Sequence, residues 1–378
     1  MSMSTVSTAI SPSKVDIPQS ELDDLMERLA RVRWPNEVTD AGWSYGVPLA
    51  FARELVDYWR SEFDWRAQEA RLNAHPQFMA TVDGQQVHFI HVHSPEPDAL
   101  PLICTHGWPM SVFEYVDLIG PLTDPQAHGG DAADAFDVVI PSLPGHAFSG
   151  PTTDHGWDTP RIGRAWVELM DALGYERYGA HGNDAGSIVS PEMGRIAPDS
   201  VVGVHVTQLF SFPSGDPAEF ADMSEEDLAA MSFLEEFAGS GGLAYNQYQS
   251  AQPQTISYAL QDSPAGWLAW VSQLFRHWAD RDYILANASA YWLTNTVASS
   301  IRRYYADAHA EAAPAEATTT PTGVAIFAED FQTVRKLAER DHKNIVSWNR
   351  YERGSHFAPH DAPDLLVADI RQFFRELR

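Results

Sequence analysis

The residues with the clearest chemical potential lie in one glycine-flanked turn, Gly182-Asn183-Asp184-Ala185-Gly186. The turn follows a β-rich run and precedes a helix-like stretch, which is the setting of a nucleophile elbow. Glycines two positions to either side allow a sharp, strained turn that pushes the middle side chain into a pocket. Taken alone, the pattern also fits an ordinary Asp in a glycine-rich turn. Asp184 is therefore the candidate nucleophile, and the neighbouring motifs decide between the two interpretations.

A carboxylate nucleophile favours attack on an sp³ carbon. An Asp side chain is already ionised at neutral pH, and its attack produces an ester whose carbonyl carbon water can attack. A serine that attacked the same carbon would produce an ether, which water does not readily cleave. The chemistry expected of Asp184 is therefore alkyl transfer to the carboxylate, followed by hydrolysis of the ester.

The motif His106-Gly107-Trp108-Pro109 comes directly after the apolar run 101–105. In a sheet that presents a nucleophile elbow, a loop at this place supplies half of an oxyanion hole. We predict that the backbone N–H groups of Trp108 and Ala185 form this hole. An ordinary Gly-Pro turn is the alternative interpretation, and a cis Trp108–Pro109 bond is compatible with both.

A histidine and an acid complete the predicted catalytic set. His356 follows the last predicted strand, on a loop that can reach the elbow, and is the predicted general base. The orienting acid should precede it and follow a strand, which selects the end of the segment 323–330. Asp330 is preferred to Glu329. The resulting chain order, nucleophile then acid then histidine, is the order that sheets with this elbow use.

Few other residues suggest metal or redox chemistry. His360 lies four residues after His356, but Pro359 disfavours a regular helix there and no Glu completes a metal-binding pattern. The single cysteine, Cys104, lies in an apolar run and is predicted to be a buried strand thiol. Disulfides within the chain are impossible. We expect neither a metal nor a cofactor.

The first part of the chain, 1–84, is predicted to wrap around the rest of the fold. A capping-box pattern at 20–23 introduces one amphipathic helix, and a second is predicted over about 48–71. Each helix has an apolar side that must dock on another part of the protein.

From residue 85 onward, short β-rich runs alternate with helix-like stretches, which is typical of a mostly parallel sheet with helices on its faces. This core is predicted in two parts, 85–207 and 318–378. The intervening 208–317 has a largely helical pattern, is rich in Trp, Tyr and Phe, and is predicted to be a lid. The predicted fold class is therefore α/β, with a parallel sheet, flanking helices, a helical lid and an N-terminal wrapping segment.

Charge excludes some classes of partner. The chain has 25 basic and 52 acidic residues, a formal charge of −27, so its surface should repel nucleic acids and anionic lipids. The first residues lack the pattern of a signal peptide, and no apolar run approaches the roughly 20 residues that span a bilayer. The sequence predicts a cytoplasmic protein with no membrane span and no nucleic-acid partner.

Six motifs occur in an order that resembles one known family, the epoxide hydrolases of the microsomal type. These belong to the α/β-hydrolase superfamily and include bacterial and juvenile-hormone relatives with an extra N-terminal segment. The resemblance covers nearly the whole chain. The motifs are Leu25–Pro35 (LMERLARVRWP), Asn73–Phe78, His106–Pro109 (HGWP), Pro141–Gly145 (PSLPG), Phe327–Asp330 and Gly354–Phe357.

The resemblance implies an α/β-hydrolase fold and the hydrolysis of an epoxide to a vicinal diol, with water as co-substrate and no cofactor. It also implies that Tyr245 and Tyr304 of the lid hydrogen-bond the epoxide oxygen, although either could be a packing aromatic. Relatives in natural-product assembly are one biological setting that this resemblance suggests. Dimers are frequent in similar proteins, so a homodimer is an open alternative to a monomer.

The chain departs from the family pattern at the elbow, which commonly reads Gly-Gly-Asp-Trp-Gly, and at Met110, where Gly usually follows the HGWP motif. Asn183 and Ala185 here flank the nucleophile. Because Ala185 removes an indole beside Asp184, we expect a wider pocket and a bulky, hydrophobic epoxide.

Two other functions remain open. A haloalkane dehalogenase uses the same Asp and the same ester, but needs N–H donors for halide where an epoxide needs a proton donor for oxygen. A catalytically silent protein that binds a small hydrophobic ligand is the second alternative. The paired tyrosines disfavour the first, and the complete triad disfavours the second.

Overall fold

The computed structural model describes residues 8–275, 280–310 and 316–378, and within them the chain forms one nine-stranded sheet. The strands are β1 (Ile10–Ser13), β2 (Gln77–Val82), β3 (Gln85–Val92), β4 (Leu100–Thr105), β5 (Phe136–Pro141), β6 (Tyr178–Gly182), β7 (Val201–Val206), β8 (Thr322–Ile326) and β9 (Ile345–Arg350).

The strand order across the sheet is β1-β2-β3-β5-β4-β6-β7-β8-β9. Strands β1, β2, β3 and β5 pair antiparallel, whereas every pair from β5 to the β9 edge is parallel. The predicted α/β class with a mostly parallel sheet is therefore confirmed. Because loops at the carboxyl ends of parallel strands meet at one edge, this topology brings residues that are distant in sequence together.

Helices cover both faces of the sheet and form most of the insertion between β7 and β8. They are α1 (Gln19–Ala30), α2 (Leu49–Ser61), α3 (Trp65–Asn73), α4 (Ile119–Thr123), α5 (Thr159–Ala172), α6 (Gly186–Ile196), α7 (Glu225–Gly239), α8 (Ala244–Ala251), α9 (Pro253–Leu260), α10 (Pro264–Ser272), α11 (Arg281–Leu293), α12 (Val297–Ser300), α13 (Arg302–Ala308), α14 (Arg335–Asp341), α15 (Ala358–Asp361) and α16 (Pro363–Arg375).

Alternate residues of the central strands enter two separate cores. In β4, Leu102 and Cys104 join the core that also contains α16 and the insertion, while Ile103 joins the core beneath α5 and α6. This alternation follows from the two-residue repeat of a strand. All three side chains are fully buried, so the sheet is a rigid base for the loops at its carboxyl edge.

The N-terminal segment contributes to the sheet as well as to its surroundings. Strands β1 and β2 lie before residue 85, so the boundary predicted at 84 falls in the turn between β2 and β3. Helix α2 packs on α10 and α11 of the insertion. There the Trp59 indole N–H donates to the Ser289 hydroxyl at 2.9 Å. The segment therefore contacts both the sheet and the insertion.

Two details predicted for this segment are wrong. The helix expected over 48–71 is two helices, because Asp64 caps α3 by accepting from the Ala67 N–H. The capping box expected at 20–23 is absent, since α1 begins at Gln19 after Pro18 and no side chain caps it.

The region predicted as a lid lies in the insertion between β7 and β8, which contains helices α7 to α13. Parts of the predicted boundaries fall outside the described residues: 1–7 of the wrapping segment, and 276–279 and 311–315 of the lid. Within the described ranges, no helix combines the length and apolar character needed to cross a membrane.

Candidate active site

Asp184 lies in the turn that joins β6 to α6. Its backbone φ is +50°, in the left-handed region that residues other than glycine rarely adopt. Glycine is needed at Gly182 in this turn and at Gly107 in the loop after β4, because a side chain at either position would clash with neighbouring atoms of the elbow. A Cβ at Gly182 would lie 2.0 Å from the Gly186 carbonyl oxygen, and one at Gly107 would lie 2.3 Å from the Asp184 Cβ. The elbow therefore holds the Asp184 side chain against the loop that follows β4.

The Asp184 carboxylate contacts one of the two predicted oxyanion donors. The Trp108 N–H donates to Asp184 Oδ1 at 2.9 Å, and the Trp108–Pro109 bond is cis. The Ala185 N–H, at the start of α6, has no acceptor among the described residues. Only the Trp108 N–H is thus seen to bond the carboxylate, while the Ala185 N–H, in the residue after Asp184, remains available as a donor.

The predicted base and acid meet at the same place. His356 Nδ1 lies 2.7 Å from Asp330 Oδ1, and His356 Nε2 lies 3.6 Å from Asp184 Oδ2. The Asp330 side chain is 1% exposed, whereas those of Asp184 and His356 are 20% and 29% exposed. Glu329 is exposed on the surface. The geometry thus fits Asp330 as the acid that orients His356, with the other side of the His356 ring facing the accessible Asp184 carboxylate.

Asp184 and His356 stabilise each other's charged forms. Burial tends to raise the pKa of Asp184, but the hydrogen bond and charge of His356 and the Trp108 N–H lower it below its ordinary value. Burial likewise tends to lower the pKa of His356, yet the charges of Asp330 and Asp184 raise it well above its ordinary value. The mutual effect favours a carboxylate at Asp184 opposite an imidazolium at His356.

The structure brings the two predicted tyrosines together over the nucleophile loop. Tyr245 of α8 stacks on the Trp108 ring at 5.6 Å between centroids, and Tyr304 of α13 meets the same ring edge-on at 5.6 Å. Their own ring centroids lie 6.1 Å apart. Burial and the charge of Asp184 raise the pKa of Tyr245, and burial, Tyr245 and Asp184 raise that of Tyr304. Both hydroxyls therefore keep their protons at neutral pH.

Three buried polar residues beneath the elbow were not predicted as site residues. Glu114 accepts from the Asn183 amide at 2.6 Å and from the Gly107 N–H at 3.2 Å. Gln208 accepts from the Asp184 N–H at 2.9 Å and donates to Asp330. Among the three, the sequence singles out Asn183, as a departure from the family pattern and as an amide that a dehalogenase could use. No local motif marks this group, because its members come from three different loops.

One expectation about the pocket is not supported by the placement of Ala185. Its side chain is 1% exposed and belongs to the core beneath α5 and α6, so the methyl group adds to that core and does not widen an open pocket.

The Gly42–Gly46 turn fits the Gly-x-Ser-x-Gly pattern of a serine nucleophile. It is an exposed 3₁₀ turn that follows no strand, so it is not a nucleophile elbow.

The described residues offer little to hold a metal. His360 lies 2.8 Å from Asp280 through Nε2. In residues 8–275, 280–310 and 316–378, no three His, Cys, Asp or Glu side chains form a group that could bind an ion.

The buried carboxyl of Glu114 should make stability depend on pH. Burial raises the pKa of Glu114 to about 8, although the Asn183 and Gly107 donors oppose this. Between pH 4.5 and about 8 the unfolded chain loses this proton while the folded chain keeps it. Stability should therefore fall as pH rises through this window, by up to about 1.4 kcal/mol per pH unit.

Replacing Glu114 with Gln is expected to flatten this dependence, which thermal unfolding measured from pH 5 to about pH 8 would show. The amide also loses one hydrogen bond, because its NH₂ must face one of the two N–H donors. Glu62→Gln, at an exposed position, is the control and should leave the slope unchanged. An unchanged slope in Glu114→Gln would show that this carboxyl is ionised in the folded protein.

Comparisons with known proteins agree with this geometry. A model of the epoxide hydrolase N terminus matches residues 10–115, and a model of the alpha/beta hydrolase family matches 102–370. A candidate epoxide hydrolase of Stigmatella aurantiaca is 41% identical, over 98% of this chain and 86% of its own length. Epoxide hydrolase 1 of Sus scrofa is 30% identical, over 97% of this chain and 88% of its own.

Two solved structures share the fold. The epoxide hydrolase of Aspergillus niger superimposes with a TM-score of 0.86 at 28% identity, covering 98% of this chain and 97% of its own. The juvenile hormone epoxide hydrolase of Bombyx mori gives a TM-score of 0.87 at 24% identity, over 98% of this chain and 95% of its own. The superpositions agree with the fold, and the sequence matches show that the chain belongs to the epoxide hydrolase family of the α/β-hydrolase superfamily.

Proposed function

We propose that the protein adds water to an epoxide and releases a vicinal diol, through a covalent ester on Asp184. The observation that carries the proposal is the placement of the Asp184 carboxylate against the Trp108 N–H and the His356 ring, with Tyr245 and Tyr304 packed on the Trp108 ring. No cofactor is required, because ring strain drives the first step and water completes the second.

In the first half-reaction, Tyr245 and Tyr304 hydrogen-bond the epoxide oxygen while Asp184 attacks a ring carbon from the opposite side. The new bond joins a carboxylate oxygen to that carbon, and the carbon–oxygen bond of the ring breaks. One tyrosine donates its proton to the alkoxide and regains a proton from solvent. The raised pKa of each tyrosine means that neither gives up its proton before the ring opens.

In the second half-reaction, His356 takes a proton from water, and the hydroxide adds to the ester carbonyl carbon of Asp184. Ester formation removes the negative charge of Asp184, which is one of the two charges that raise the pKa of His356. The pKa of His356 should therefore fall when the ester forms, so that the imidazolium releases its proton to solvent and the neutral imidazole can act as the base. Collapse of the tetrahedral intermediate releases an alkoxide, which His356 protonates to give the diol.

The N–H groups of Trp108 and Ala185 are proposed to stabilise the tetrahedral oxyanion. One already donates to the carboxylate at 2.9 Å, and the other has no acceptor in the described residues. Removal of one such donor typically costs about 10²- to 10³-fold in rate. We also propose that the helical insertion acts as a lid, since it supplies both tyrosines.

The substrate is proposed to be a hydrophobic epoxide, because the rings of Trp108, Tyr245 and Tyr304 form an aromatic wall beside the nucleophile. The same tyrosines favour epoxide opening over dehalogenation. Their hydroxyls can protonate an oxygen that stays attached to the product, whereas a departing halide needs no proton. An assay of diol formation and halide release on matched substrates compares the two activities directly, and halide release alone would contradict the proposal.

A single turnover in ¹⁸O-labelled water tests the ester route. With enzyme in excess over epoxide, the label should enter the Asp184 carboxylate, because water attacks the ester carbonyl carbon and the diol receives the original carboxylate oxygen. Mass spectrometry of the peptide that contains Asp184 would detect the label. Label found only in the diol would show direct attack of water on the epoxide.

A further inference from the structure

Asn183, the residue before the nucleophile, is fully buried and uses every hydrogen bond that its amide can make. Its oxygen accepts from the Thr207 hydroxyl at 2.6 Å and from the Gln208 amide at 2.7 Å. Its NH₂ donates to Glu114 Oε1 at 2.6 Å and to the His356 carbonyl oxygen at 2.9 Å. A side chain so fully bonded in a buried site has one orientation available to it.

These four bonds join the loops that carry the triad. Asn183 itself belongs to the elbow, and the His356 carbonyl belongs to the loop that carries the base. Gln208 extends the connection, because the NH₂ that reaches Asn183 also donates to Asp330 and lies 3.5 Å from His356 Nδ1. Glu114 connects Asn183 to the loop after β4, because it also accepts a hydrogen bond from the Gly107 N–H.

We propose that Asn183 is a positioning residue for ester hydrolysis, because its amide fixes the main chain of His356 relative to Asp184. The inference rests on the proposed function. The Asn183 side chain does not touch the Asp184 carboxylate, whose contacts are the Trp108 N–H and the His356 ring. The first half-reaction needs only the carboxylate and the tyrosines, whereas the second needs His356 within reach of one water molecule.

The two half-reactions should therefore respond differently when the bond to His356 is lost. The substitution Asn183→Asp keeps the shape of the side chain and its acceptors for Thr207 and Gln208. The introduced carboxyl group faces Glu114 at hydrogen-bonding distance, so the two acids should share one proton and retain that contact. The carbonyl of His356 is then left without a donor.

The experiment measures both half-reactions with an epoxide under rapid-quench, single-turnover conditions and follows the Asp184 ester by mass spectrometry. In Asn183→Asp, ester formation should stay within about threefold of the unsubstituted rate, and ester hydrolysis should slow by about 10- to 100-fold. The ester should then accumulate in the steady state, and kcat and KM should fall together.

Two further variants control for general damage to the fold. Asn287→Asp makes the same change at another buried Asn, which bonds Ser111 and the Tyr283 carbonyl and none of the triad residues. It should leave the ratio of the two rate constants unchanged. Asn183→Ala removes all four bonds and should also slow hydrolysis more than ester formation, so the inference is tested even where one variant folds poorly.

The outcomes separate the inference from the proposed function. Equal slowing of both steps in the Asn183 variants, or hydrolysis at the unsubstituted rate, would overturn the positioning role while leaving the ester route intact. If the unsubstituted protein forms no ester on Asp184, the proposed function itself fails.

Discussion

A His356→Gln variant incubated with an epoxide should become alkylated on Asp184 and remain so. Glutamine resembles the imidazole in size but cannot take a proton from water, so ester hydrolysis should slow by about 10²- to 10⁴-fold. Asp184 keeps the Trp108 N–H, which holds its carboxylate in place. Intact-mass measurement should show a gain equal to one substrate molecule, and diol production should stop after about one equivalent of epoxide is consumed.

An Asp184→Ala variant treated in the same way provides the control and should gain no mass. A His356→Gln protein that turns over without an adduct would contradict the covalent route, because the second step of that route needs His356 as its base. An adduct on a residue other than Asp184 would instead show that the nucleophile is misassigned.

Replacing Tyr245 and Tyr304 together with Phe should slow the first half-reaction strongly. Without a proton donor the ring oxygen must leave as a free alkoxide, so we expect ester formation to slow by about 10³- to 10⁴-fold in the double variant and by roughly 10- to 100-fold in each single variant. Each replacement keeps the aromatic ring that packs on Trp108, so the fold should be preserved. Rapid-quench measurement of ester formation would show the loss.

Tyr248→Phe is the matched control, because Tyr248 lies on the same helix as Tyr245 but is 40% exposed. Its removal should leave both half-reactions unchanged. A double variant that still forms ester at the unsubstituted rate would show that the tyrosines only pack, and would restore the dehalogenase alternative.

Much of the fold, and the meeting of Asp184, Asp330 and His356, could be predicted because the signals are local. The glycines around Asp184 and the turn after β4 each lie next to a β-rich run, so their position in the sheet follows from their position in the chain. The same reasoning selected Asp330 and His356 from the ends of β8 and β9. A parallel sheet then places these loops at one edge, whatever their separation in sequence.

The remaining features depend on contacts between distant segments. Glu114, Asn183 and Gln208 come from three loops and meet only through side-chain hydrogen bonds, so no spacing reveals them. Strand β1 has four residues and includes Pro12, which hides its pairing with β2. The burial of Ala185 also depends on which way α6 faces, which its small side chain does not indicate.

The path by which substrate enters is constrained by the N-terminal segment. This segment is fastened to the sheet through β1 and β2, and to the tyrosine-bearing insertion through the Trp59–Ser289 hydrogen bond and ion pairs such as Arg28–Asp262. Swinging the whole insertion outward would expose the apolar side of α2 and break these bonds at once. A hinged opening of the insertion therefore costs more free energy than local side-chain motion, so we expect substrate entry to depend on local motion and to be sensitive to the cross-section of the substrate.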